Sequence, residues 1–114
     1  MEYSKAYALA DAIKTSEEFR TCRDLRDSVM GDETTAALIR EYKKLSVRLQ
    51  MASVNGTPAD PDDVQRFSGL NAVLFARPDV TQYLLAEMRL QQALADIFRI
   101  LTDAAGLEMP GFGE

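Results

Sequence analysis

Apolar side chains recur at steps of three and four residues along most of the chain. No stretch sustains the apolar–polar alternation that a half-buried strand needs. The rhythm breaks at Gly, Pro and capping residues, which divide the chain into five predicted helices. The first covers about 3–14, with Tyr3, Ala6, Tyr7, Ala10 and Ile13 on one face. Thr15, followed three residues later by Glu18, has the spacing of a capping box. It predicts a second helix at about 16–30, striped by Phe19, Cys22, Leu25 and Val29. Gly31 closes that helix and Asp32 caps the next, so the two are joined tightly and expected to run antiparallel.

The third predicted helix spans about 33–54. Its residues Leu38, Tyr42, Leu45, Leu49 and Ala52 follow steps of 4, 3, 4 and 3, a narrow seam of coiled-coil type. Asn55-Gly56 ends it, and Thr57-Pro58-Ala59 forms a loop. Asp60 then caps a fourth helix with Pro61 at its first position and Asp62 and Asp63 at its positive end. Val64, Phe67, Leu70, Leu74 and Phe75 make its apolar face. Gly69 interrupts it at a cost of about 1 kcal/mol relative to alanine, for no reason visible in the sequence. Pro78 breaks the pattern, and Asp79 with Gln82 resembles another cap. The fifth helix runs from about 79 to 105 and is closed by Gly106. Residues 1–107 are expected to form a single helical domain and 108–114 a frayed tail.

At 1.5 Å per residue the third helix is about 33 Å long and the fifth about 40 Å. The expected fold is therefore all-α: five helices in an elongated antiparallel bundle built on the two long ones, 33–54 and 79–105. On a helical wheel the apolar residues of the fifth helix, from Ala104 through Leu90 and Leu94 to Met88, span an arc of roughly 200°. A surface helix needs an apolar stripe of only about 100° or somewhat more. The excess predicts burial on two sides, one of them against a second copy, so a homo-oligomer is expected, a dimer first. Leu84, Met88, Gln91 and Phe98, with Val47, Met51 and Val54 near the end of the third helix, are the expected oligomer or partner interface. Glu87 lies near the middle of the arc. A carboxylate there needs a hydrogen-bonding or cationic partner, with Arg23, Arg26 or a tyrosine hydroxyl as candidates.

Composition narrows the chemistry. The chain has 114 residues, a single cysteine, and neither histidine nor tryptophan. That excludes histidine-based triads, histidine-ligated metals, CxxC redox chemistry and an intrachain disulfide. The net charge of −5 works against nonspecific binding to nucleic acid or acidic membrane. Short apolar stretches give no signal peptide or membrane span, and one lone cysteine fits a cytoplasmic protein. Cys22 itself reads as a small buried hydrophobe rather than a reactive thiol.

Motifs with specific chemistry fail on inspection. Gly111-Phe112-Gly113 does not sit between a strand and a helix, as a phosphate-cradling loop would. Asp60-Pro61-Asp62-Asp63 begins like a calcium loop, but Gln65 stands where glycine is needed and Asn71 where the bidentate glutamate belongs. Glu87 has no second carboxylate, histidine or ligand set beside it in the pattern, so it reads as a buried polar group rather than a catalytic acid. No catalytic, cofactor or metal residue is assigned. One basic cluster remains: Arg40, Lys43, Lys44 and Arg48, on the side of the third helix away from its seam, a side shared near the helix end by Val47, Met51 and Val54. Such a face can dock an acidic protein, can bind RNA phosphates, or can be an ordinary solvated surface.

Several segments are familiar as a set. Tyr7-Ala8-Leu9-Ala10, Ser16-Glu17-Glu18-Phe19, Leu45 to Gln50 with Gly56, Pro78-Asp79-Val80 with Tyr83 to Glu87 and Leu90, and Ala104 to Leu107 together resemble the YlbF/YmcA/YheA family of small bacterial helical proteins. The resemblance covers about residues 3–107 and rests on order and spacing. It implies an all-α cytoplasmic protein that oligomerises and has no known catalytic activity. It also implies work in regulatory complexes affecting competence, sporulation and biofilm formation, associated with RNase Y and RNA turnover. Some relatives are linked to iron–sulfur clusters held by several cysteines. Cys22 alone cannot supply those ligands, so no cofactor is expected, and the cysteine-poor YheA-like branch matches better.

Overall fold

The computed structural model describes residues 1–107; the predicted tail, 108–114, lies outside the described residues. The described residues form five α-helices: α1 (Ser4–Lys14), α2 (Glu17–Met30), α3 (Glu33–Val54), α4 (Pro61–Phe75) and α5 (Pro78–Ala105). The fold is all-α, and among the described residues there is no strand.

Local chemistry explains the helix ends, with two corrections to the sequence reading. The cap of α2 is Ser16 and not Thr15: the Ser16 hydroxyl oxygen accepts the Phe19 amide at 3.2 Å. Thr15 instead ends α1, its hydroxyl donating to the Asp11 and Ala12 carbonyls. Likewise Pro78 does not precede α5 but opens it, since its missing N–H is one the first turn leaves unbonded anyway. Asp32 and Asp60 cap α3 and α4 as expected, accepting the Thr35 and Asp62 amides at 3.0 and 2.9 Å. Gly56 and Gly106 hold φ of 69° and 70°, a left-handed conformation that glycine adopts without strain. Each closes its helix by the paired bonds of a Schellman motif, such as Thr57 N–H to the Ala52 carbonyl at 3.0 Å.

Two compact units share these helices. The first is Met1–Leu25 with the chain from Tyr83 onward; the second is Arg26–Gln82. In the second unit α3 and α4 form an antiparallel pair. Its register is fixed by Glu41 with Arg66, by Arg48 with Asp63, and by Tyr42 stacked on Phe67 with centroids 4.9 Å apart. The arginine of each pair is more than half exposed, so the pairs contribute little beyond register. Buried Leu45 and Leu74 supply the apolar anchors of this pair. Ile39 and Ala36, outside the predicted seam, are also fully buried, so the first half of α3 is covered on two sides.

A polar chain spans the ends of this unit's helices. Buried Thr35 donates its hydroxyl to the Asp32 carboxylate at 2.6 Å and accepts the Arg77 guanidinium at 2.6 Å. Arg77 also donates to Asp79 at 2.9 Å. The Thr35 hydroxyl and amide hold the Asp32 carboxyl below its ordinary range; the Arg77 guanidinium does the same for Asp79. A carboxyl depressed in the folded state stabilises fully above its unfolded pKa of about 3.9 and loses that contribution as pH falls through the folded value. Thermal melts should therefore show stability declining below about pH 4, and Asp32→Asn should flatten that decline while lowering the melting temperature at neutral pH.

Gly69 lies inside α4, and a Cβ built on it meets nothing within 4 Å. Nothing in the structure explains the glycine. Gly69→Ala should then raise stability by about 0.5–1 kcal/mol in a urea titration, because the backbone is already helical and the added methyl has room.

Candidate interaction surfaces

The first unit contains an open apolar groove of about 540 Å³ between α1 and α5. Ala6, Leu9, Ala10 and Ile13 form one wall, and Leu94, Ile97, Phe98 and Leu101 the other. Lys5 and Leu101 lie in this groove, whereas Ser16 and Leu90 line a smaller neighbouring one, so α1 runs opposite to α5. The groove exists because α1 turns alanines inward. Its 11 residues include none that is buried, and only Leu9 and Ile13 are half-covered. The sequence pattern groups Tyr3 and Tyr7 on one face with Ala6, Ala10 and Ile13. Both tyrosines are well exposed, and Leu9 takes their place.

The wide arc of α5 is covered unevenly, and Met88 at its edge is exposed. Tyr83 and Leu84 are buried, Leu90, Ile97 and Phe98 are half-buried, and Leu94 and Leu101 are 42% and 53% exposed. This corrects one predicted interface residue: Leu84 is only 6% exposed, so its own chain already covers it. Met88 and Gln91 are exposed and Phe98 is half-buried on the groove wall. Leu94 and Leu101 were legible as apolar arc residues but not as surface. Finding them needed the knowledge that a short, alanine-lined helix is what faces them.

Glu87 is half-buried and accepts the Tyr83 hydroxyl at 2.8 Å, one helical turn away. Of the candidate partners weighed from sequence, the tyrosine is thus one that serves it. Cys22 is buried. Among the described residues no three His, Cys, Asp or Glu side chains gather as a metal site would require. Among the described residues no helix is long and apolar enough to cross a membrane.

In the second unit the predicted basic cluster separates. Arg48 leans to Asp63 on α4 at 3.4 Å, and Lys43 is half-buried and engaged. Arg40 and Lys44 remain on the exposed side of α3. Val47, Met51 and Val54 continue that side with exposures of 58%, 52% and 74%.

Comparison with known proteins follows the same lines. A family model described as "Control of competence regulator ComK, YlbF/YmcA" matches residues 3–104. A UPF0342 protein of Caldicellulosiruptor saccharolyticus is 32% identical over 97% of this chain and 92% of its own length. UPF0342 protein YheA of Bacillus subtilis is 25% identical over 87% of this chain and 85% of its own. Among solved structures, a protein of unknown function (DUF964) from Bacillus stearothermophilus superposes with a TM-score of 0.72, covering 91% of each chain at 19% identity. At that identity the likeness concerns the fold.

Proposed function

Because the chain belongs to the YlbF/YmcA family, whose description is control of a competence regulator, we propose that it is a non-enzymatic regulatory protein acting in the cytoplasm through helix–helix contacts. It self-associates, as a dimer, across the groove between α1 and α5. The assembled protein then serves as an adaptor for another protein in bacterial regulatory complexes, including those of RNA turnover.

The half-covered state of α1 carries this reading. A helix of 11 residues is marginal in water by itself and needs an apolar face packed against something. The groove walls suit a second copy. The α1 wall carries small side chains at Ala6 and Ala10, and the α5 wall large ones at Leu94, Phe98 and Leu101. A two-fold operation that lays α5 of one chain over α1 of the other would set large residues on small ones at both ends, the self-complementarity of an isologous interface. The test is a mass measurement by light scattering at micromolar concentration. The expected value is about twice the chain mass of 12.7 kDa. A single-chain mass would overturn the proposal.

A further inference from the structure

On α3 the residues Arg40, Lys44, Val47, Met51 and Val54 follow steps of 4, 3, 4 and 3, the spacing of a coiled-coil seam. This second line lies on the opposite side of the helix from the Leu38–Ala52 line that meets α4. Its last three members are apolar and more than half exposed. Its first two are cations, and among the described residues neither Arg40 nor Lys44 has an ion-pair partner. The neighbouring carboxylates do not balance them, since Glu41 is engaged by Arg66 and Asp63 by Arg48. A helix face of this kind, apolar for two turns and positive for the two before, is unsatisfied in two chemically different ways at once.

We propose that this face receives an acidic amphipathic helix from another protein. Leucine-like side chains of that helix pack over Val47, Met51 and Val54, and its carboxylates lie over Arg40 and Lys44. Charge complementarity selects the occupant. The cations attract a negatively charged helix, and the heptad line fixes how it lies. RNA fits the same face less well. Only two cations are available, the chain as a whole is at −5, and the apolar residues offer no aromatic ring on which a base could stack. The inference rests on the helix–helix reading of function but not on self-association, because it uses a face of the other unit.

The test is a titration of the full-length, isotope-labelled protein with two synthetic helices of about three heptads, followed by NMR and fluorescence anisotropy. Both peptides carry a leucine seam; one has glutamate on its flanks and the other lysine. The glutamate peptide should shift amide signals within residues 40–54 and bind more tightly than the lysine peptide. The double variant Arg40→Glu, Lys44→Glu should weaken the glutamate peptide roughly tenfold and reverse the preference. Met51→Ser should weaken both peptides, and because it lies on an exposed position its circular dichroism should be unchanged. Equal binding of the two peptides, or no shift on α3, overturns the proposal. So does tight, steeply salt-dependent binding of a 20-nucleotide single-stranded RNA that the charge reversal abolishes. If the charge reversal instead halves the mass in light scattering, the face belongs to a second copy and the proposal also fails. A dimer that persists while the peptides fail leaves the α1–α5 reading intact, so the two ideas can fall separately.

Discussion

Leu74→Ala should lower the free energy of unfolding by about 3 kcal/mol, within the 2–5 kcal/mol usual for a fully buried leucine. Leu74 has no exposed surface and anchors α4 in the second unit. Truncation removes its transfer free energy and leaves a cavity that a two-helix pair closes poorly. Small domains are stable by only about 5–15 kcal/mol, so this single change should move the urea midpoint visibly at constant slope. The comparison must be made at one protein concentration, because self-association adds to apparent stability. Val54→Ala, on a residue that is mostly exposed, should stay within about 0.5 kcal/mol. A loss under about 1 kcal/mol at Leu74 would mean that the α3–α4 pair is not the packed core described above.

The second large effect concerns assembly. Leu94→Asp combined with Leu101→Asp should convert the protein to single chains in light scattering while leaving its helical circular dichroism unchanged. Both leucines are substantially exposed on one chain, so the new carboxylates stay hydrated in the monomer. Closing a second copy over the groove would bury those charges without partners, a cost of several kcal/mol per charge. Two controls sharpen the result. Met88→Asp, on the exposed residue singled out from sequence, should leave the mass unchanged; dissociation by this variant alone would move the interface to the Met88–Gln91 stripe. Leu84→Asp should unfold the protein rather than dissociate it, since that side chain is buried in its own chain.

The contrast between Leu84 and Leu94 explains what was legible in the sequence. Helices announce themselves through periodicity and punctuation: the Asp32 and Asp60 caps, Gly56 and Gly106 lie next to the bonds they make, and Pro61 stands where no N–H bond is needed. Those signals are local: the ranges expected for α1, α2, α3 and α5 agree with the structure to within one residue at each end, and α4 starts at Pro61 as expected. Which part of an apolar arc stays uncovered is not local. A wheel assigns Leu84, Leu94 and Leu101 to one broad arc and says nothing of where along the axis neighbours stop. The answer depends on the shortness of α1 and on the smallness of Ala6 and Ala10, residues whose own pattern drew attention to the tyrosines beside them. The basic cluster failed to stay together for a related reason. Arg48 and Lys44 are four residues apart, yet a single carboxylate on α4, Asp63, draws one of them to the hairpin side.

The closure of α3 has a practical consequence for handling this protein. Its last turn is finished by its own Schellman bonds through Thr57, and α4 begins on its own cap at Asp60. Neither helix borrows a hydrogen bond from Pro58 or Ala59, both of which are exposed. Extra residues inserted between those two would lengthen a tether and disturb neither end, at a cost of only about 0.6 kcal/mol for each doubling of loop length. That short link is where a fluorescent reporter or affinity handle can be spliced in while both chain termini stay native.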